Sequence, residues 1–320
     1  IGEGEVTINK FLDIYLENKN LDNFLDMDGI YIPKFNNNAK IALIDDMKNA
    51  YHITQPIITK TDEEDYKTVF SDSIMLNVSR GCTRGCRFCM SSYLYRPLRE
   101  TTIKELVNIA LKTRENTNLN KITLIGAAVG DYYDLEGLTK ALESEGFQIA
   151  TPSLRIDSLS RETLETLKKS GLKSITIAPE SISTLRERIN KSISDEKIFS
   201  VIKNAVDLDF NIKLYFLIGI PYESKEDIEE LANYIEKIAN MHKNRKYIKF
   251  SINPVIPKPQ TPLQWEVYNF KEIKSKTRYL KKKLRKYNVK FESPKKGLIQ
   301  YILSCGNREV GAVIEKFISS

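Results

Sequence analysis

Between Asn77 and Glu100 the chain reads NVSRGCTRGCRFCMSSYLYRPLRE, and three of its four cysteines, Cys82, Cys86 and Cys89, fall within eight residues. Three soft thiolates in one tight loop suit an iron–sulfur cluster, whose irons take cysteine ligands. In a four-iron cubane, three local cysteines leave one iron without a protein thiolate and open to chemistry, so the cluster reads as catalytic rather than as a closed electron store. Gly81 and Gly85 permit a close, tightly turned backbone, and Arg80, Arg84 and Arg87 set positive charge beside an anionic inorganic core. A disulfide framework does not fit, because three crowded cysteines in 320 residues are not the pattern of a stapled secreted domain. Zinc is the alternative, but a structural zinc needs a fourth ligand. The candidates for it, Cys305, His52 and His242, are distant in sequence and lack paired spacing.

The C-x3-C-x2-C spacing of Cys82, Cys86 and Cys89, with Phe88 just before the last, resembles the signature of radical S-adenosylmethionine (SAM) enzymes. The resemblance implies that these cysteines hold a [4Fe–4S] cluster, that SAM chelates the open iron through its amino and carboxylate groups, and that Phe88 lies against the adenine. It extends to Tyr95–Pro97, to Ala178-Pro179-Glu180, to the proline-rich loop after Ile252 and to the tail. The Gly2–Glu5 turn is similar to one that leads into the final helix of a Rossmann-like cobalamin-binding domain. The group resembled is thus the one that joins a cobalamin domain to the barrel. A chain that starts at Ile1 rather than Met reads as a fragment whose cobalamin domain is mostly absent.

Hydrophobic periodicity gives the elements that must position the loop. Short β-rich runs alternate with amphipathic segments, the mark of βα units and a parallel sheet. Strands are expected at 73–78, 121–125, 148–154, 174–177, 213–218 and 249–253, and helices at 103–113, 135–144, 161–169, 194–207, 225–241 and 271–286. Ser160, Ser194 and Ser224 read as N-caps. Before them come a helix over about 6–17 and a Gly turn leading into an edge strand, and after them two tail helices, from about 297 and after 307. Cys305, between the tail helices, reads as a small buried filler. The fold class is α/β: a partial, six-stranded parallel barrel of the radical SAM type, with its site at the strand C-terminal ends. The expected divisions are 1–34 (end of a cobalamin domain), 35–71 (linker), 72–290 (barrel) and 291–320 (C-terminal helical extension).

Residues just past each strand should then be the chemical ones. After the second comes a small-residue turn at Gly126-Ala127-Ala128, where the superfamily uses Gly-Gly-Glu to hold the SAM amine. This sequence departs from that motif, which leaves backbone carbonyls near Ala127 for the contact. The third strand ends in Ser153 and Arg155; Arg155 is either a fork for a SAM carboxylate or a surface partner of Asp157. The resemblance assigns Glu180 to the ribose hydroxyls and Lys191 to the methionine carboxylate, with Arg188 as substitute if the register shifts by a turn. It assigns Gly219 and Pro221 to the adenine-contacting turn. The last strand leads into four prolines and the single Trp, Trp265, a loop that either shapes a substrate pocket or serves as a packed lid hinge.

Composition bounds the rest. The chain is 41% hydrophobic, no apolar run approaches the roughly 20 residues a membrane helix needs, and no secretory leader is visible. These features imply a soluble, reducing, cytoplasmic setting. The net charge is +7, much of it near 271–290, a run read as the solvated face of a helix with Tyr279, Leu280, Leu284 and Tyr287 as its buried stripe, in preference to an RNA footprint. The function implied is one-electron cleavage of SAM to a 5′-deoxyadenosyl radical. It serves a cobalamin-dependent C-methyltransferase acting on an unactivated carbon, with a protein or peptide side chain as one candidate substrate, and it needs a ferredoxin- or flavodoxin-like electron donor. The rival readings are a radical SAM tRNA-modifying enzyme and a zinc-stabilised binding module.

Overall fold

The structure, a computed structural model, describes residues 1–58, 70, 72–151 and 153–319. Helix α1 (Gly4–Glu17) leads into irregular chain, and most of the expected linker's second half lies outside the described residues. Then come β1 (Ile74–Asn77), β2 (Ser79–Arg80), α2 (Ser91–Leu94), β3 (Arg99–Glu100), α3 (Ile103–Thr117), β4 (Lys121–Ile125), α4 (Leu135–Ser144), β5 (Gln148–Ala150) and α5 (Arg161–Lys169). The second half runs β6 (Ser174–Glu180), α6 (Ser183–Arg188), α7 (Asp195–Asp207), β7 (Asn211–Ile218), α8 (Lys225–Ala239), β8 (Ile248–Pro254), α9 (Phe270–Lys283), β9 (Val289–Phe291), α10 (Pro294–Cys305) and α11 (Glu309–Ile318).

β1, β4 and β5 form one parallel sheet and β6 to β9 another, each strand pairing with the next in the series. Leu154 joins the two by a parallel bridge to Ile177, its N–H donating to the Thr176 carbonyl at 2.9 Å. The result is one curved parallel array with all its C-terminal ends on one rim. Ser79–Arg80 and Arg99–Glu100 pair antiparallel and clamp the two ends of the cysteine loop.

Helices cover the outer face because their apolar residues recur at helical spacing. In α8 the buried residues are Ile228, Leu231, Ala232, Ile235, Ile238 and Ala239. Burial of each larger aliphatic side chain contributes about 1.5–3 kcal/mol. Ser160, Ser194 and Ser224 accept from Thr163, Lys197 and Asp227 N–H and fix the starts of α5, α7 and α8.

Several sequence expectations change. β9 is a seventh parallel strand, too short to announce itself beside a lysine-rich helix. No strand follows Gly29; that segment closes in turns, and Gly2 instead bridges to Ala42. The third strand stops at Ala150, with only the Leu154 bridge beyond it. Of the expected stripe, Leu280 and Leu284 are buried and Tyr287 packs against the core, but Tyr279 is exposed, and the rest of the buried face of α9 is Ile273, Lys276 and Thr277. Cys305 is exposed rather than a filler, because α10 buries only Gly297.

Candidate active site

The cysteine loop leaves β1 at the rim. Cys82 and Cys86 are buried and Cys89 is half-buried. The backbone must turn sharply there: Gly81 has φ +84°, and a Cβ at that position would stand 2.2 Å from the Tyr95 carbonyl oxygen. Asn190, itself left-handed at φ +53°, holds the loop from outside, donating from Nδ2 to the carbonyls of Arg84 (3.1 Å) and Gly85 (2.9 Å). Tyr93 Oη donates to the Gly85 carbonyl at 2.8 Å. On its far side Leu263 N–H donates to the Arg87 carbonyl at 3.3 Å, which brings the proline-rich loop onto the cluster loop.

The loop arginines are largely committed to protein partners. Arg80 binds Glu5 at 2.7 Å, and Arg87 donates to the Arg188 carbonyl at 2.9 Å. Arg84 grips both oxygens of Asp131 (2.9 and 2.7 Å) beside Cys82, and that pairing raises its pKa. The positive charge next to Cys86 comes instead from other elements. Burial pushes the Cys86 thiol up, and Lys191 and Arg155 oppose that shift. Arg155 is held bidentate by Asp157 (3.1 and 2.9 Å), the alternative to a carboxylate fork, and also lies 3.4 Å from Asp131. Burial works to raise the Asp157 carboxyl, but the hydrogen bond and charge of Arg155, a backbone N–H and the charge of Arg84 together leave its pKa lowered. Arg84, Asp131, Arg155 and Asp157 therefore form one network from the loop to the ends of β4 and β5.

At the end of β6, Glu180 takes φ +70°, a strained conformation for a residue with a side chain. Its Oε1 accepts from Lys191 Nζ at 2.6 Å, both groups buried. Glu180 and Ser153 line one cavity of about 480 Å³ inside the curve of the array, with Thr176, Lys213, Tyr215 and Asn253. Phe88 faces a neighbouring cavity between Leu217 and Val255. Gly219 and Pro221 line a third, of about 820 Å³, with Trp265, which is 85% exposed. Ala127 is exposed, and Arg188 turns away to donate to the Tyr222 carbonyl at 2.7 Å. Of the expected site residues, the structure thus sets Arg155 and Lys191 by Cys86, with Glu180 bonded to Lys191 and Ser153 lining the same cavity as Glu180, puts Phe88 on a neighbouring cavity, and leaves Ala127, Gly219 and Pro221 further out. Sequence reasoning missed Asp131 and Asn190. Their one local signal is type: an Asp after a glycine turn and an Asn able to adopt a left-handed φ.

Residues 76–235, half of the 320-residue chain, match the family described as the Radical SAM superfamily. The chain belongs to the radical SAM superfamily. It is 35% identical over 301 residues to an uncharacterized protein, MJ0966, of Methanocaldococcus jannaschii, covering 91% of this chain and 64% of that protein. It is 28% identical over 181 residues to the cytidylyl-2-hydroxyethylphosphonate methyltransferase of Streptomyces wedmorensis, covering 53% of this chain and 34% of that enzyme. The chain thus spans less than two thirds of the length of either relative. The cobalamin-dependent SAM radical enzyme OxsB, solved with aqua-cobalamin bound, shares the fold with a TM-score of 0.51 at 15% identity, covering 87% of this chain and 45% of that one.

The cofactors of a radical SAM enzyme are a [4Fe–4S] cluster and SAM, and the residues present fit them. Three thiols stand on one loop at the rim, faced by two cations. Three of the buried polar atoms without partners stand at these strand ends, Asn77 Oδ1 at the end of β1, Ser79 Oγ just past it and Ser181 Oγ after β6; the others are on His52, Arg186 and Glu223. A single metal ion fits less well. Among the described residues no three His, Cys, Asp or Glu side chains, the loop cysteines included, are drawn together as around one ion, a closeness that the corners of a larger cubane do not require. Two of the candidates for a fourth zinc ligand are engaged elsewhere, Cys305 donating to the Pro257 carbonyl and His242 accepting from Asn244 N–H, while His52 keeps a buried, unpartnered Nε2 and sits near Arg80, its pKa lowered by burial. No helix among the described residues is long and apolar enough to cross a membrane.

Proposed function

We propose that this chain is the catalytic barrel of a cobalamin-dependent radical SAM C-methyltransferase that modifies an unactivated carbon, with a protein or peptide side chain among the candidate substrates. The observation that carries the reading is the cysteine loop set against Arg155 and Lys191 at the mouth of an open cavity. When bound, the cluster supplies the electron that splits SAM into methionine and a 5′-deoxyadenosyl radical, and methylcobalamin supplies the methyl group. The protein's own part is to bind, orient and exclude water.

In this reading Cys82, Cys86 and Cys89 hold three irons and Phe88 lies against the adenine. The backbone at Ala127 takes the SAM amine, and Ser153 and Arg155 flank the methionine end. Glu180 keeps one oxygen for the ribose hydroxyls while its other holds Lys191, whose two remaining N–H donors are left for the methionine carboxylate. Gly219 and Pro221 form the outer wall of the adenine site. Residues 1–34 are the end of a cobalamin domain, 35–71 a linker, 72–290 the barrel and 291–320 an extension. A ferredoxin- or flavodoxin-like donor in a reducing cytoplasm supplies electrons.

Anaerobic reconstitution tests this. The expected result is four irons per chain, 5′-deoxyadenosine formed from SAM, and corrinoid bound by the longer protein that the reading implies. Zinc without iron and sulfide would overturn it. Loss of the corrinoid result alone, together with RNA binding that falls steeply with salt, would replace methyl transfer to an unactivated carbon with RNA modification.

A further inference from the structure

Side chains on β7 and β8 alternate between two environments. Ile212, Leu214, Phe216 and Ile218 are buried toward the helices, the Phe216 ring lying 6.3 Å from Tyr234 of α8 and 6.3 Å from Phe250. The opposite face turns into the curve of the array. There Lys213 pairs in register with Lys249, Tyr215 with Ser251 and Leu217 with Asn253. β9 adds Lys290 beside Ser251, while its Phe291 faces α9 under Lys281.

An eight-unit barrel ordinarily fills its interior with branched apolar side chains. The lower part of the β7–β9 wall is polar and cationic instead. Lys213, Lys249 and Lys290 are all exposed, and none pairs with a carboxylate among the described residues; Lys213 Nζ has only the Tyr215 ring, 4.7 Å from its centroid. Adjacent like charges in register repel, so the wall carries positive charge that the protein does not compensate. Lys213 itself lines the cavity that Glu180 closes at the rim.

We propose that this wall binds an oxyanion of the substrate, a phosphoryl or carboxylate group, with Lys213 as its principal partner and Tyr215, Thr176 and Lys249 around it. The inference rests on the radical SAM reading for which end of the substrate reacts. Lys213 precedes Leu217 by four residues, about 13 Å of strand, so the anion is held deep while the reacting carbon stays at the rim. Binding energy at that remote end then orients the carbon.

The test is calorimetric titration of the reconstituted enzyme with inorganic phosphate, pyrophosphate and succinate, which separates phosphoryl from carboxylate ligands and needs no turnover. Wild type is expected to bind at least one probe saturably. Lys213→Met should weaken that probe about tenfold, Lys213→Arg should retain it, and Lys282→Met on the outer face of α9 should leave it unchanged. Saturable binding weakened threefold or more in Lys213→Met supports the proposal; no binding of any probe, or a smaller effect, overturns it. Formation of 5′-deoxyadenosine from SAM without substrate, measured on the same samples, reports separately on the radical SAM reading.

Discussion

At the scale of single residues, the Glu180–Lys191 pair decides most. Two charged groups buried together at 2.6 Å are strongly interdependent, and removing one partner leaves an uncompensated charge. Glu180→Ala is therefore expected to destabilise the chain by about 3–5 kcal/mol in urea unfolding, with Glu180→Ala/Lys191→Met recovering part of the loss. Additive single and double variants would show that the pair is uncoupled. Both single variants should also weaken SAM binding while iron content stays at the wild-type level; unchanged SAM affinity would remove both residues from the site. The sequence made the two residue types legible but not their contact. That contact depends on the left-handed turns at Glu180 and Asn190, which no periodicity encodes. The same holds for Arg80, Arg84 and Arg87, whose charge points toward the loop in sequence yet is largely taken up by Glu5, Asp131 and the Arg188 carbonyl in space.

At the scale of elements, the cysteine loop is a backbone device. Its entry at Gly81 admits no side chain, since a Cβ would meet the carbonyl oxygens of Tyr95 and Pro97 at 2.2 and 2.4 Å and φ is +84°. Gly81→Ala should cost on the order of 3 kcal/mol in thermal or urea unfolding and lower iron incorporation; a variant with wild-type iron and stability would show that the loop relaxes freely. Regular elements were legible where amphipathic pattern and capping agree. The strand at 121–125 and the helices at 135–144 and 161–169 fall where the pattern puts them. The fourth strand reads as ending at Ile177, because Ala178 and Pro179 are poor strand formers, yet it continues to Glu180 through a register shift. β9 is three residues long and is held by pairing with β8 rather than by its own propensity.

At the scale of the whole molecule, the N-terminal segment is tied to the base of the cysteine loop by charge. Buried Glu3 accepts from Arg99 at 2.8 Å and from Ile44 N–H at 2.7 Å, and Glu5 binds Arg80. That bond to Arg80 lowers the Glu5 carboxyl from 4.5 to about 2. A carboxyl with a depressed folded pKa stabilises above its unfolded value and loses that contribution as pH falls through the folded one. Hydrogen exchange in α1 should therefore rise as pH drops from 4.5 toward 2, beyond the intrinsic change, and Glu5→Gln should abolish that component. Exchange that is flat apart from the intrinsic term would release the tie. The central claim, an iron left open by three cysteines for SAM, is tested most directly by electron paramagnetic resonance of the reduced, reconstituted chain with and without SAM. A cluster signal whose g-values shift when SAM is added is the predicted result; a signal indifferent to saturating SAM, or one that survives replacement of Cys82, Cys86 and Cys89 by alanine, would contradict it.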